Sequence, residues 1–182
     1  YDSRRGYRGP EGQFALPAAP GARADAIAAA LEKHPDNGEI VAGVVVSANP
    51  GEVQAVLSNG VTAKISGDGL RFAAASLSPR APAAAGIRPG SIVRLVKDDA
   101  GAWSIVQLPQ VEGAFVSIVP QDGAIRSLVG GFDFGKSKFN HVTQAWRQPG
   151  SSFKPFIYSA SLDKGLGPAT IINDAPLFFS AA

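Results

Sequence analysis

The chain has no cysteine, which excludes disulfides and thiolate metal sites and fits an exported protein. It also has no methionine and begins at Tyr1, so it is expected to be an internal segment, with any export signal and membrane anchor outside it. The only two histidines, His34 and His141, lie far apart and have no neighbouring ligand cluster. Structural or surface roles are expected for them, and no metal or other cofactor is predicted. Neither sign of charge dominates: 17 Lys and Arg against 15 Asp and Glu leave +2, weak ground for a nucleic-acid or membrane-surface partner. No apolar run approaches the roughly 20 residues of a membrane span.

What remains is 182 residues, enough for one ordinary domain or two small ones, with an apolar fraction of 45% that allows a packed core. Residues 1–22 interleave Arg4, Arg5 and Arg8 with Gly6, Gly9, Pro10, Pro17, Pro20 and Gly21, a composition that reads as irregular connector. From Arg23 to His34 the pattern predicts a helix, with Ile27 and Leu31 on one face and Pro35 as its stop.

Residues 38–110 read as short strands. The segments are Ile40–Ser47, Glu52–Leu57, Val61–Ser66, Ile92–Lys97 and Trp103–Leu108. Asn59-Gly60 marks a hairpin that needs positive φ at its turn, and Asp98 to Gly101 closes another. Leu70–Ala75 fits either a strand or a short helix, and Ser78–Gly90 is a loop. Four or five short strands in this span suggest a small closed or partly open barrel, with an OB-like barrel leading. Past Pro109, Ala114–Val119 and Ala124–Val129 form a further predicted hairpin, Lys136–Gln144 is polar, and a helix is expected from Ser151 to Lys164 with Gly165 as its stop. Asp174–Ala182 is a loop or an incomplete element.

The candidate chemistry lies in Ser151-Ser152-Phe153-Lys154, just after the Pro149-Gly150 turn. A serine hydroxyl is a poor nucleophile until a base takes its proton. A spacing of three on a helix puts the Lys154 amine one turn from Ser151, on the same face. Desolvation by Phe153, Phe156 and Ile157 would favour the neutral lysine that a base requires. The free N–H at Ser151 suits an oxyanion. Read from the tetrapeptide alone, Ser151 is a helix N-cap and Lys154 a solvated first-turn side chain. A second match, Ser161-Leu162-Asp163-Lys164, falls at the end of the same helix, where free N–H groups are absent and Lys164 suits the dipole. Ser47-Ala48-Asn49 matches S-x-N but precedes Ser151 at a strand end, and is taken as accidental.

The longer context changes the weighting. Gly130-Gly131-Phe132-Asp133-Phe134, Ser137-Lys138-Phe139-Asn140, Thr143-Gln144-Ala145, Arg147 through Phe156 and Ile172-Asn173-Asp174-Ala175-Pro176-Leu177 resemble the start of the transpeptidase domain of class A penicillin-binding proteins, the bifunctional peptidoglycan synthases. Tyr1 through Glu11 resembles the connector after the glycosyltransferase domain in the subfamily often numbered one-a, and the barrel resembles the OB-like domain inserted there. The resemblance implies that Ser151 is the nucleophile acylated by the D-Ala of a stem peptide or by a β-lactam, with Lys154 as its base. The family's later serine-x-asparagine and lysine-threonine/serine-glycine elements do not occur between Ser151 and Ala182. The chain alone is therefore expected to be inactive, and its 114–129 hairpin to lack sheet partners.

These readings divide the chain into a connector with a short helix (1–37), an OB-like barrel (38–110) and the first part of a transpeptidase domain (111–182). The fold class is mainly β: a small OB-like barrel followed by an incomplete α/β piece, a hairpin plus the nucleophile helix. The resemblance implies stem peptides and β-lactams as partners, and a location at the periplasmic face of the bacterial inner membrane. An envelope regulatory protein docking on the barrel is the alternative role for the chain itself, an exposed patch remote from Ser151 being its mark. Oligonucleotide binding, common for OB-folds, is not expected: residues 38–110 hold six basic and five acidic side chains, and only Phe72 and Trp103 as aromatics.

Overall fold

The computed structural model describes residues 2–176, with side chains from Arg4 onward. Tyr1 and residues 177–182 lie outside the described residues, and with them Leu177 of the family-like run and the last part of the expected terminal element. The elements run α1 (Asp2–Arg5), β1 (Gly12–Gln13), α2 (Pro20–Glu32), β2 (Val41–Asn49), β3 (Glu52–Leu57), β4 (Thr62–Ser66), a 3-10 helix (Gly67–Leu77), β5 (Ser91–Lys97), β6 (Trp103–Val106), β7 (Phe115–Ile118), β8 (Ile125–Val129), a 3-10 turn (Gly150–Phe153) and α3 (Lys154–Asp163).

Six strands form one antiparallel sheet in the order β1-β5-β2-β3-β4, with β6 also on β5. The sheet curls into an OB-like barrel that stays open: β4 and β6 lie side by side without a ladder, and the 3-10 helix packs into the gap. The ambiguous stretch at Leu70–Ala75 is thus helical. Leu70, Ala73 and Leu77 recur at the threefold spacing of a 3-10 helix and are buried, closing the barrel interior.

The connector is not irregular throughout. β6 pairs with β5 only from Arg94 to Lys97, which leaves Ser91 and Ile92 open on that edge; β1 occupies it, opposite Ile92 and Ser91. Composition concealed this because Gly12 and Gln13 carry no strand propensity. Their order comes from an edge that would otherwise hold unpaired backbone groups.

β3 and β4 alternate buried and exposed residues, whereas β2 is buried on both faces from Ala42 to Val45. The cause is a second apolar layer. Inside the barrel lie Val45, Val53, Ile65, Leu95 and Ile105; outside it, Ile27 and Leu31 of α2 press on Ala42, Val44 and Ile92. A β-bulge at Val46 separates the two registers of β2 with β3. α2 begins at Pro20, three residues before the expected start; it has no side-chain cap, but Arg23 folds back to donate to the carbonyls of Pro17 and Ala18.

At Asn59-Gly60 only Gly60 has positive φ (+78°). Gly60 N–H donates to the Leu57 carbonyl and Leu57 N–H to Val61, both at 2.9 Å. This is a three-residue loop with the glycine in the left-handed position, not a two-residue primed turn.

β7 and β8 pair only with each other. Phe115, Ile118, Ile125 and Val129 on them are all exposed. The expected helix at Ser151–Lys164 divides into the 3-10 turn and α3. Among the described residues, no helix is long and apolar enough to cross a membrane.

Candidate functional site

Ser151 lies in the 3-10 turn, just after Gly150, whose φ of +53° reverses the chain after Pro149. Lys154 opens α3, where Pro155 fits because the first turn needs no N–H partner. Both side chains are exposed, and no hydrogen bond joins them. The residues expected to desolvate the lysine face solvent too: Phe153, Phe156 and Ile157 are 53%, 68% and 50% exposed. The sequence neighbourhood therefore brings Ser151 and Lys154 onto one turn but supplies no apolar enclosure. That enclosure, the condition for a neutral lysine, has to come from elements packed over this helix.

The second match differs in kind. Ser161 Oγ donates to the Ile157 carbonyl at 2.8 Å, a bond to the preceding turn that engages the hydroxyl, and Lys164 is the C-cap of α3. Ser47 lies within β2.

The histidines belong to two polar clusters that hold the fold together. His34 Nδ1 lies 3.1 Å from Glu11 Oε2, which also accepts from Arg94. His141 Nδ1 lies 2.9 Å from the Gly130 carbonyl and 3.6 Å from Glu112 Oε2. That Glu112 oxygen is buried and has no hydrogen-bond partner among the described residues. Lys136 Nζ donates to the Pro109 carbonyl, so the 130–141 segment is tied to the chain where it leaves the barrel. No group of three or more His, Asp or Glu arranged to hold a metal occurs among the described residues.

Sequence reasoning missed a groove of about 630 Å³ along β6. Asp68, Arg71 and Phe72 line one wall and Ser104 to Gln107 the other. β6 has a ladder on its β5 side only, so its second edge borders this groove. Nothing local marks it, because the walls come from segments more than 30 residues apart that only barrel curvature brings together.

Comparison with known proteins places the whole arrangement. Residues 7–111 match the family described as the penicillin-binding protein OB-like domain. The chain belongs to this family of penicillin-binding proteins. Over 98% of its length it is 39% identical to penicillin-binding protein 1A of Pseudomonas aeruginosa, covering 22% of that protein. It is 40% identical over 97% of its length to penicillin-binding protein 1A of Escherichia coli, covering 21%. The crystal structure of penicillin-binding protein 1A from Haemophilus influenzae superposes on 99% of the chain and 26% of its own, with a TM-score of 0.73 and 31% identity. The chain thus spans about a fifth of the length of the curated relatives it matches. The likeness extends past the barrel through the hairpin and the Ser151 helix, in keeping with the OB-like barrel plus partial transpeptidase piece that the motifs imply.

Proposed function

We propose that this chain is part of a peptidoglycan synthase that crosslinks stem peptides through a serine acyl-enzyme. Ser151 is the nucleophile, acylated by a D-Ala carbonyl or by a β-lactam, and Lys154 takes its proton. The observation that carries the reading is Ser151-x-x-Lys154 at the start of a helix, in a chain that aligns along 98% of its length with a penicillin-binding protein 1A. In this reading the protein works at the periplasmic face of the bacterial inner membrane. The 182 residues alone are inactive, because Ser151 and Lys154 stand exposed with no wall around them.

A second reading has the barrel as a docking or spacer module for an envelope regulatory protein. The β6 groove favours it: the groove shares no lining residue with the Ser151 segment and borders an unpaired strand edge.

Labelling with a fluorescent penicillin, followed by peptide mass mapping, tests the first reading. Label is expected on Ser151 in a chain extended to the length of the relatives, none in its Ser151→Ala variant, and none on the 182 residues alone. Label that survives Ser151→Ala would remove Ser151 from the mechanism.

A further inference from the structure

We propose that residues 6–13 form a strap closing one end of the β6 groove, that the strap peels from its Tyr7 end, and that Gln107 is the release point. β6 ends at Val106, so the connector running up to β5 meets a side chain where a strand would continue. The Gln107 amide takes that place. Its Oε1 accepts the Arg8 N–H at 3.0 Å and its Nε2 donates to the Gly6 carbonyl at 3.2 Å, on either side of Tyr7. Between these bonds the Tyr7 ring packs edge-on to Phe72, with centroids 5.7 Å apart. Phe72 and Gln107 are themselves groove residues. The same two side chains therefore hold the strap and line the groove, and lifting Tyr7 lengthens the groove by an apolar slot.

The two ends are held unequally. At the Tyr7 end the contacts are a side-chain amide, an edge-on ring contact and a bond from the Arg8 guanidinium to the Leu108 carbonyl, the Arg8 bonds being solvent-exposed. At the other end Glu11 N–H donates to the Ile92 carbonyl at 2.9 Å, Phe14 N–H donates to Gly90 at 3.1 Å, and the Glu11 carboxylate meets Arg94, which is only 4% exposed. Exposed hydrogen bonds open locally at lower free energy than those backed by buried contacts, so the strap opens from Tyr7 toward Glu11.

Amide hydrogen exchange on the full chain tests the order. Arg8 N–H is expected to exchange at least about tenfold faster than those of Glu11 and Phe14, since it opens without the barrel. Gln107→Ala should speed Arg8 by about a further tenfold and leave Glu11 and Phe14 within about twofold. Gln107→Glu keeps an oxygen for the Arg8 N–H and should retain most of its protection. Anilinonaphthalene sulfonate, as probe of the vacated slot, should fluoresce more strongly with Gln107→Ala than with the parent chain. A single exchange rate shared by Arg8, Glu11 and Phe14, moved as one by Gln107→Ala, would make the segment an ordinary part of one cooperative barrel and overturn the proposal; so would unchanged dye fluorescence.

Discussion

Arg94 of β5 donates from both Nε and Nη2 to a single oxygen, Oε2 of Glu11, at 3.0 and 2.9 Å, across a sequence separation of 83 residues. Its third nitrogen donates to the Pro35 carbonyl at 2.7 Å, and His34 approaches the same Glu11 oxygen. One guanidinium thus joins the connector, the segment after α2 and the central strand of the barrel.

Removing one partner of this cluster should cost more than replacing both. Glu11→Ala leaves the Arg94 charge buried without its acceptor and is expected to destabilise by about 2–4 kcal/mol, the upper figures being reduced because the Glu11 side chain is 27% exposed. Glu11→Leu with Arg94→Met should recover much of that loss. Urea unfolding followed by Trp103 fluorescence measures both, in a Trp146→Phe background because Trp146 is 95% exposed and only adds signal. A double variant no better than Glu11→Ala would show that the charges stabilise beyond their geometry.

Tyr7 sets an alkaline limit. Burial, and secondarily the negative charge of Glu11, push its phenol well above the ordinary value of about 10. The folded state therefore holds the phenolic proton more tightly than the unfolded state. Its contribution is fully present below pH of about 10 and is lost as pH rises from there toward the folded value. Urea midpoints measured from pH 8 upward should stay level to about pH 10 and then fall, and less steeply in Tyr7→Phe. Equal slopes in the two proteins would assign the loss to other groups.

Gly69 permits the 3-10 helix to lie against β6. A Cβ there would sit 2.1 Å from the Trp103 carbonyl oxygen and 3.0 Å from Ile65 Cγ2. Gly69→Ala must separate the two elements and is expected to cost about 2–3 kcal/mol, with a red shift of Trp103 emission. A neutral result would mean that the barrel gap tolerates widening.

Ser151 and Lys154 should contribute nothing to the stability of this chain. Exposed and without mutual contact, they should change unfolding free energy by less than about 0.5 kcal/mol on replacement by alanine. Ile65→Ala, at a fully buried site, should cost about 2–5 kcal/mol. A large loss with Ser151→Ala would argue that its role is scaffolding.

Legibility in the sequence followed the range of the interaction. β3, β4 and β5 were readable because each is a short apolar or alternating run between turn residues, and α2 because Ile27 and Leu31 repeat at helical spacing. The turn at Gly60 was readable in its need for positive φ but not in its loop length, which depends on where β3 and β4 pair. Leu70–Ala75 remained ambiguous because its buried residues recur every three positions, a period that neither a strand nor an α-helix has. The Ser151 tetrapeptide was visible as a motif, while the exposure around it was not, since enclosure is a property of what packs over a helix.

By itself the sequence determined the family, the strand segments and the pairing of Ser151 with Lys154 on one turn, all from contacts within a few residues or from motifs of fixed spacing. Only the tertiary structure decided that Gly12 and Gln13 complete the edge of β5, that Gln107 reads the backbone around Tyr7, and that Glu11 meets Arg94. These depend on barrel curvature and on which backbone groups lack partners, so residues about 80 to 100 positions apart meet for reasons that neither composition nor periodicity records.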